Sequence, residues 1–445
     1  MRKLSTGKAG SAILLTSIAI FDNDFSKEYS LFGGMAKMEI GINPDRLRGE
    51  TLALAEFGRD PKGGISRPSF SPPDLEAREW LKERIREAGL ILRQDGAGNI
   101  FGRMEGEGKT IMAGSHIDTV INGGMFDGSI GVLSALECLR RIREENIAVS
   151  RPLEMASFTD EEGNLVGDFL GSRAFIGHLE RETLEKGLTQ YGAPLPAILK
   201  ETEFTIDTIL GAHRQRPDIE AFLELHIEQG SELEMENKSI GIVDCIYGKQ
   251  YWWCSFLGEA SHAGTTPFEL RHDAFLGLAD LALKSTQHVA SRHYGSRLTI
   301  GKVSLSPGAF TVIPARADFS LDFRSPSEEI LQQIEEYVLK LGEEIASTRG
   351  LSFQKLLMDK TDPVPPSSRI IDLIKDECQK LGYSLMMLPS GAGHDAQILA
   401  EVAEVGMIFI PCQDGISHSP EEKIDWEDLE RGANLLLRTL ISLAK

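Results

Sequence analysis

The chain has 445 residues, of which 41% are apolar and 26% charged, and its formal net charge is −20. This ordinary globular usage excludes a mainly disordered or collagen-like chain, and the length predicts two or three domains of roughly 150 residues. So acidic a surface repels phosphate backbones and anionic lipid, so neither nucleic acid nor a membrane is an expected partner.

The N-terminal segment is ambiguous. Residues 1–8 are weakly basic and residues 12–21 (AILLTSIAIF) apolar, as in a signal peptide, but no small-x-small cleavage site follows. The expectation for residues 1–38 is a poorly ordered extension, or an upstream mis-called start, ahead of the folded protein. No apolar run reaches the roughly 18 residues of a membrane span. Cys138, Cys245, Cys254, Cys378 and Cys412 are scattered and form no CxxC. That spacing predicts free thiols and a reducing, cytoplasmic setting.

Ser71-Pro-Pro-Asp74 reads as a helix start, with a capping serine and proline just inside. Ala77, Leu81, Ile85 and Ala88 continue it at helical spacing, and Gly89 stops it. Strands are expected at 91–93, 99–104, 110–114, 153–158 and 221–226. A helix over 128–145 interrupts them, with Val132, Leu136, Leu139 and Ile142 on one face. This alternation argues for an α/β domain. The middle differs. Alternating strands at 240–246, 251–257, 298–304 and 317–323 interleave with helices over about 272–290 and from the capping-box pattern Ser325-Pro-Ser-Glu328. That is an α+β unit. After a strand at 351–357 the α/β rhythm returns, with helices at 370–381, 396–403 and 426–443 and a strand at 405–410. The expected architecture is therefore an α/β catalytic domain over 39–236 and 351–445, with an α+β domain inserted at 237–350.

Four apolar runs end alike. TIMAG leads into Ser115-His116-Ile117-Asp118, LEMASF into Thr159-Asp160-Glu161-Glu162, AFLEL into His226, and VGMIFIP towards Ser417-His418. Asp127 opens the helix after the first. Sites in open α/β sheets form at the carboxyl ends of strands. Each residue alone is unremarkable, but their conjunction points to metal. His116, Asp127, Glu162, His226 and His418 are an oxygen and nitrogen donor set that suits zinc first, with manganese, cobalt and nickel also compatible. Five donors exceed the need of one tetrahedral ion with an open position. Two divalent ions per subunit use them economically: one on His116 and His226, the other on Glu162 and His418, with Asp127 bridging. Asp118 is expected to accept the His116 ring N–H and fix its tautomer. Glu161 is the candidate general base. Gly96-Ala-Gly98 is not a dinucleotide fingerprint, since no helix follows it.

In order, GSHIDTV, GGMFDG, FTDEEG, ELHIEQG, SHAGTTPFELRHDA, SGAGHDA and GISHSPEE resemble the zinc-dependent amidases of the hydantoinase/carbamoylase family. These form the branch of the aminoacylase/carboxypeptidase metalloenzymes that holds N-carbamoyl-L-amino-acid hydrolases, allantoate amidohydrolases and β-ureidopropionases. The likeness runs from about residue 42 to 443. It implies the same metal donors and base, a di-metal aminopeptidase-like catalytic domain and an inserted lid that makes a homodimer. It also implies that His262 reaches into the partner's site to polarise the scissile carbonyl, that Arg324 binds the substrate carboxylate, and that Gln229 and His394 complete the pocket. From the residues alone, His262 could merely cap a turn, Arg324 could be a rim ion pair, and His394 could cap a helix. The sequence departs from the family pattern at Thr311, where an asparagine is usual among the substrate-binding positions. It also departs at Asn164-Leu165-Val166 and at Ser231. The resemblance implies hydrolysis of a linear ureido or carbamoyl C–N bond, with N-carbamoyl-L-amino acids as the leading substrate and allantoate or another ureido acid as the alternative.

Overall fold

The computed structural model describes residues 40–445. The expected 1–38 extension lies outside them. Among the described residues fifteen strands occur in the order β1 Ile91–Gln94, β2 Ile100–Met104, β3 Thr110–His116, β4 Leu153–Phe158, β5 Ile219–Ile227, β6 Ile240–Ile246, β7 Gly248–Leu257, β8 Ser261–His262, β9 Arg297–Thr299, β10 Val303–Ser306, β11 Val312–Ile313, β12 Arg316–Ser325, β13 Ser352–Thr361, β14 Leu385–Ser390 and β15 Glu404–Ile410.

Eight strands form one mixed sheet in the order β1-β2-β4-β3-β5-β15-β6-β14. Its centre is parallel: β3 pairs with β4 and β5, and β5 with β15. Every residue of β3 and β4 is buried, as expected where layers cover both faces. One face packs on Ser129–Glu144 and Trp426–Leu443 through Ile130, Leu133, Leu136, Leu436 and Leu440. The other carries an aromatic core of Phe101, Phe158, Phe175, Phe222 and Phe409. The helix expected from residue 72 is Pro72–Glu87, with Ser71 at its N-cap and Pro at its first position.

The smaller sheet runs β10-β12-β7-β13, with β9 also on β12. In β12, Ala317, Phe319, Leu321 and Phe323 are fully buried in the core shared with Ala274–Arg292 and Glu328–Arg349. The residues between them, including Asp322 and Arg324, are half-buried. The strand period of two thus sends Arg324 away from the helices.

Four expectations need correction. β6, expected in the insert, belongs to the large sheet between β15 and β14. β13, expected in the returning catalytic segment, pairs with β7 in the small sheet. The strand pairing therefore puts the inserted sheet at 248–361 and not at 237–350. The single strand expected at 298–304 is two strands, β9 and β10, both on β12. Finally, the cap of the second lid helix is Ser327, whose hydroxyl accepts the Ile330 N–H at 3.4 Å. Ser325 accepts the Ser327 N–H one step earlier.

Candidate metal centre and substrate cleft

The strand ends that carry the candidate donors converge. His116 closes β3, His226 is the penultimate residue of β5, and the Glu161-Glu162 turn follows β4. Three donor groups result, each within 4.8 Å internally: His116–Asp127–His226 and Asp127–Glu162–His418, which share Asp127, and His116–Glu161–Glu162. Asp127 Oδ1 lies 3.1 Å from His226 Nε2 and 3.5 Å from His116 Nε2. Asp127 Oδ2 lies 3.3 Å from His418 Nε2, which is 3.5 Å from Glu162 Oε1. Glu161 Oε2 is 3.5 Å from His116 Nε2.

Backbone carbonyls set the two buried imidazoles. His116 Nδ1 pairs with the Asp118 carbonyl at 3.0 Å and His226 Nδ1 with the Ile227 carbonyl at 2.9 Å. A carbonyl only accepts, so both Nδ1 atoms carry hydrogen and both Nε2 atoms face Asp127. His116 Nε2 is buried without a hydrogen-bond partner. A buried ring nitrogen left unpartnered among converging carboxylates is what a cation would satisfy, and the donor set fits divalent ions of the zinc type.

This corrects the expected role of Asp118. Its carboxylate is 3.7 Å from the His116 ring. It instead accepts the backbone N–H groups of Asp160, Glu161 and Glu162 at 3.1, 3.4 and 3.4 Å. Asp118 holds the turn that carries Glu161 and Glu162, while its carbonyl fixes the tautomer. Glu422, which sequence reasoning passed over although GISHSPEE contains it, does the same for the opposite loop. Its Oε1 accepts the Phe126 and Asp127 N–H groups at 2.8 and 3.2 Å. Asp160, Phe169, Gln229 and His418 all have positive φ, between 56° and 66°. Backbone strain of this kind collects at functional sites.

The charges follow from burial. Burial opposes ionisation of Asp127, but His226, His116 and His418 outweigh it and hold the carboxyl well below its usual range. Burial, then the neighbouring Asp127, pushes Glu162 up to about 8. Burial also raises Glu161 well above the carboxylate range, against the pull of His116. The Asp127 hydrogen bond, reinforced by Glu162, lifts His418 to about 9. Burial, followed by repulsion from His226, keeps His394 neutral.

Gln229 lines the cleft and donates to Asp127 Oδ2 at 2.7 Å. His394 also lines it; its Nε2 is 2.7 Å from Ser390 Oγ, which donates to the Ala392 carbonyl. His394 is the N-cap residue of Asp395–Leu399 but makes no side-chain cap bond there. Arg324 closes the cleft, donating to Asp322, to the Gly391 carbonyl at 3.0 Å and to Tyr251 at 3.2 Å. One N–H remains on each terminal nitrogen. His262 and Thr311 are exposed and do not line the cleft of their own chain. His262 faces Val312 across β8 and β11, and its Nδ1 accepts the Gly264 and Thr265 N–H groups, both at 3.1 Å. Asp168, Lys249 and Tyr251 also line the cleft and were not singled out in the sequence. The last two sit on a strand whose register against β12 is set by long-range pairing, which spacing does not reveal.

Residues 112–442 match peptidase family M20/M25/M40. The N-carbamoyl-L-amino-acid amidohydrolase of Pseudomonas sp. (strain NS671) is 38% identical over 90% of this chain and 99% of its own length. The allantoate amidohydrolase of Escherichia coli (strain K12) is 34% identical over 89% and 97%. The crystal structure of an amidase of the hydantoinase/carbamoylase family from Burkholderia vietnamiensis, 32% identical over 91% of this chain and 98% of that one, superposes with a TM-score of 0.82. The chain belongs to peptidase family M20/M25/M40, among its hydantoinase/carbamoylase amidases. It is a hydrolase acting on carbon–nitrogen bonds other than peptide bonds. Among the described residues, no helix is long and apolar enough to cross a membrane.

Proposed function

We propose that the chain is a homodimeric, two-metal amidohydrolase that splits the ureido group of an N-carbamoyl-L-amino acid, giving the amino acid, carbon dioxide and ammonia. The observation that carries this reading is the pair of donor triads sharing Asp127, with Glu161 beside one of them and Arg324 lining the same cleft. Allantoate, the substrate named for the Escherichia coli relative, is the alternative within the same chemistry.

His116, Asp127 and His226 would hold one ion and Asp127, Glu162 and His418 the other, zinc being the first candidate. When bound, two divalent ions polarise the scissile carbonyl and acidify the attacking water. Glu161 takes a proton from that water as its oxygen bonds to the ureido carbon. It then delivers the proton to the leaving nitrogen as the C–N bond breaks, and the carbamic acid that remains loses carbon dioxide to free the second nitrogen. Arg324 uses its two remaining N–H groups for the substrate carboxylate. His262 of a second copy serves the oxyanion. Its Nδ1 accepts two backbone N–H groups, so the ring hydrogen sits on Nε2 as a donor. Thr311 bonds backbone to backbone with the residue after His262, accepting the Ala263 N–H at 2.9 Å. This couples the departure from the family pattern to the same loop.

Ammonia release from N-carbamoyl-L-amino acids, allantoate and ureidoglycolate, measured with zinc, manganese, cobalt and nickel in turn, tests the reading. Turnover of at least one ureido acid is expected. A protein that binds two ions per chain and releases no ammonia across the panel would be a metal-binding dimer without this activity.

A further inference from the structure

Lys249 and Arg324 are register partners across β7 and β12, and both line the cleft. Directly paired residues of an antiparallel sheet share a face, about 5 Å apart at Cβ. The two side chains therefore leave neighbouring strands on the same face and line one cleft. The Lys249 side chain is only 5% exposed. Its ammonium sits 4.6 Å from the Phe169 ring and 5.1 Å from the Tyr251 ring. Among the described residues its one hydrogen-bond acceptor is Asp168, so two of its three N–H groups have none. Asp168 is 26% exposed on the side chain and lines the same cleft.

We propose that Lys249 and Asp168 form a specificity subsite that reads a second carboxamide or ureido group on the substrate. This deepens the ureido-acid reading above and rests on it. The chemistry selects the group. An ammonium N–H beside a carboxylate oxygen matches an amide end, whose C=O accepts from Lys249 and whose N–H donates to Asp168. A second carboxylate would meet Lys249 but face Asp168 as a like charge. An alkyl group would bury the unmet N–H groups of Lys249 without a partner, and polar sites discriminate strongly against ligands that do so. The preferred substrates are thus ureido acids with an amide or second ureido arm, such as N-carbamoyl-L-asparagine, N-carbamoyl-L-glutamine or a diureido acid.

The test compares kcat/KM of the metal-loaded enzyme for N-carbamoyl-L-asparagine, N-carbamoyl-L-leucine and N-carbamoyl-L-aspartate. Wild type should favour the asparagine derivative over both by about tenfold or more. Lys249→Met should bring the asparagine-to-leucine ratio to within about threefold of one, mainly through KM. Lys249→Gln, which keeps an N–H donor and serves if the methionine variant folds poorly, should retain part of the ratio. A Lys249–Asp168 pair that only joins the lid to the body would lower both rates together, leaving the ratio intact and overturning the subsite. Wild-type preference for leucine or aspartate would overturn it as well. Failure to hydrolyse any ureido acid would instead remove the hydrolase reading on which the subsite stands.

Discussion

A Cβ placed on Gly128 would lie 2.3 Å from Nε2 of His116, and Gly128 has φ +62°. The residue after the shared carboxylate must therefore lack a side chain, because the donor atom of His116 occupies that space. Gly128→Ala should push the imidazole off Asp127 and add roughly 1–2 kcal/mol of left-handed backbone strain. The expected outcome is a folded protein with less than one tightly bound ion at the His116–His226 triad and at least a tenfold loss of turnover, read by metal analysis and ammonia release. Two ions per chain with full activity would show that the His116 donor is dispensable.

Asp118 offers a different test, since its carboxylate holds three backbone N–H groups of the Asp160–Glu162 turn and its carbonyl holds the ring. Asp118→Ala removes the first function and keeps the second. Loss of such supporting bonds typically costs about 10–100-fold. The loss should fall on kcat and on the ion held by Glu162, leaving the His116–His226 ion in place. Loss of that second ion instead would return Asp118 to the role of orienting His116 through its carboxylate.

The pH dependence of stability should change sign of slope or flatten when metal is bound. Burial, followed by neighbouring carboxylates, raises Glu162 to about 8, Asp395 to about 8 and Glu422 to about 7, while the Asp127 hydrogen bond raises His418 to about 9. Each binds its proton more tightly folded than unfolded. Its contribution is complete below its ordinary pKa and is lost as pH rises through the raised value. Asp127, held low, acts oppositely, and its contribution is lost only as pH falls through acid values. The metal-free protein should therefore lose Tm steadily from pH 5 to 9. Ions compete with the same protons, so the gap in Tm between metal-loaded and EDTA-treated protein should widen with pH. Parallel curves would contradict this.

The exposed position of His262 in its own chain makes the proposed homodimer testable. His262→Ala and Glu161→Ala should each be nearly inactive. Mixed and allowed to exchange, they should form heterodimers in which one of two sites has both residues intact. Recovery should approach roughly a quarter of wild type if sites are independent and mixing is equal. No recovery, with heterodimers confirmed by tagged pull-down, would place His262 outside the partner's site.

The candidate metal donors were legible because His116 and His226 close apolar runs, Glu162 and His418 follow two more, and Asp127 stands just before the next helix. The lid edges were not. β6 has the same apolar character as a lid strand, and only pairing with β15 and β14 assigns it to the large sheet. β14 itself was missed because Pro389 interrupts it; the ladder absorbs the proline in a register shift between Leu388 and Ser390. The helices Leu170–Ile176, Arg181–Lys186, Leu195–Leu199 and Ile206–Gly211 are each too short for a periodic signal. Lys249 and Asp168 are 81 positions apart, and no local pattern joins them.

The central claim is that Glu161 transfers the proton in a site whose ions are held by other residues. The most direct measurement is turnover of Glu161→Gln at confirmed occupancy of two ions per chain. The amide keeps the size of the side chain and cannot accept the proton. Both ions should stay, and ammonia release should fall by about 10²–10⁴. Near-wild-type turnover of the fully loaded variant would contradict the account.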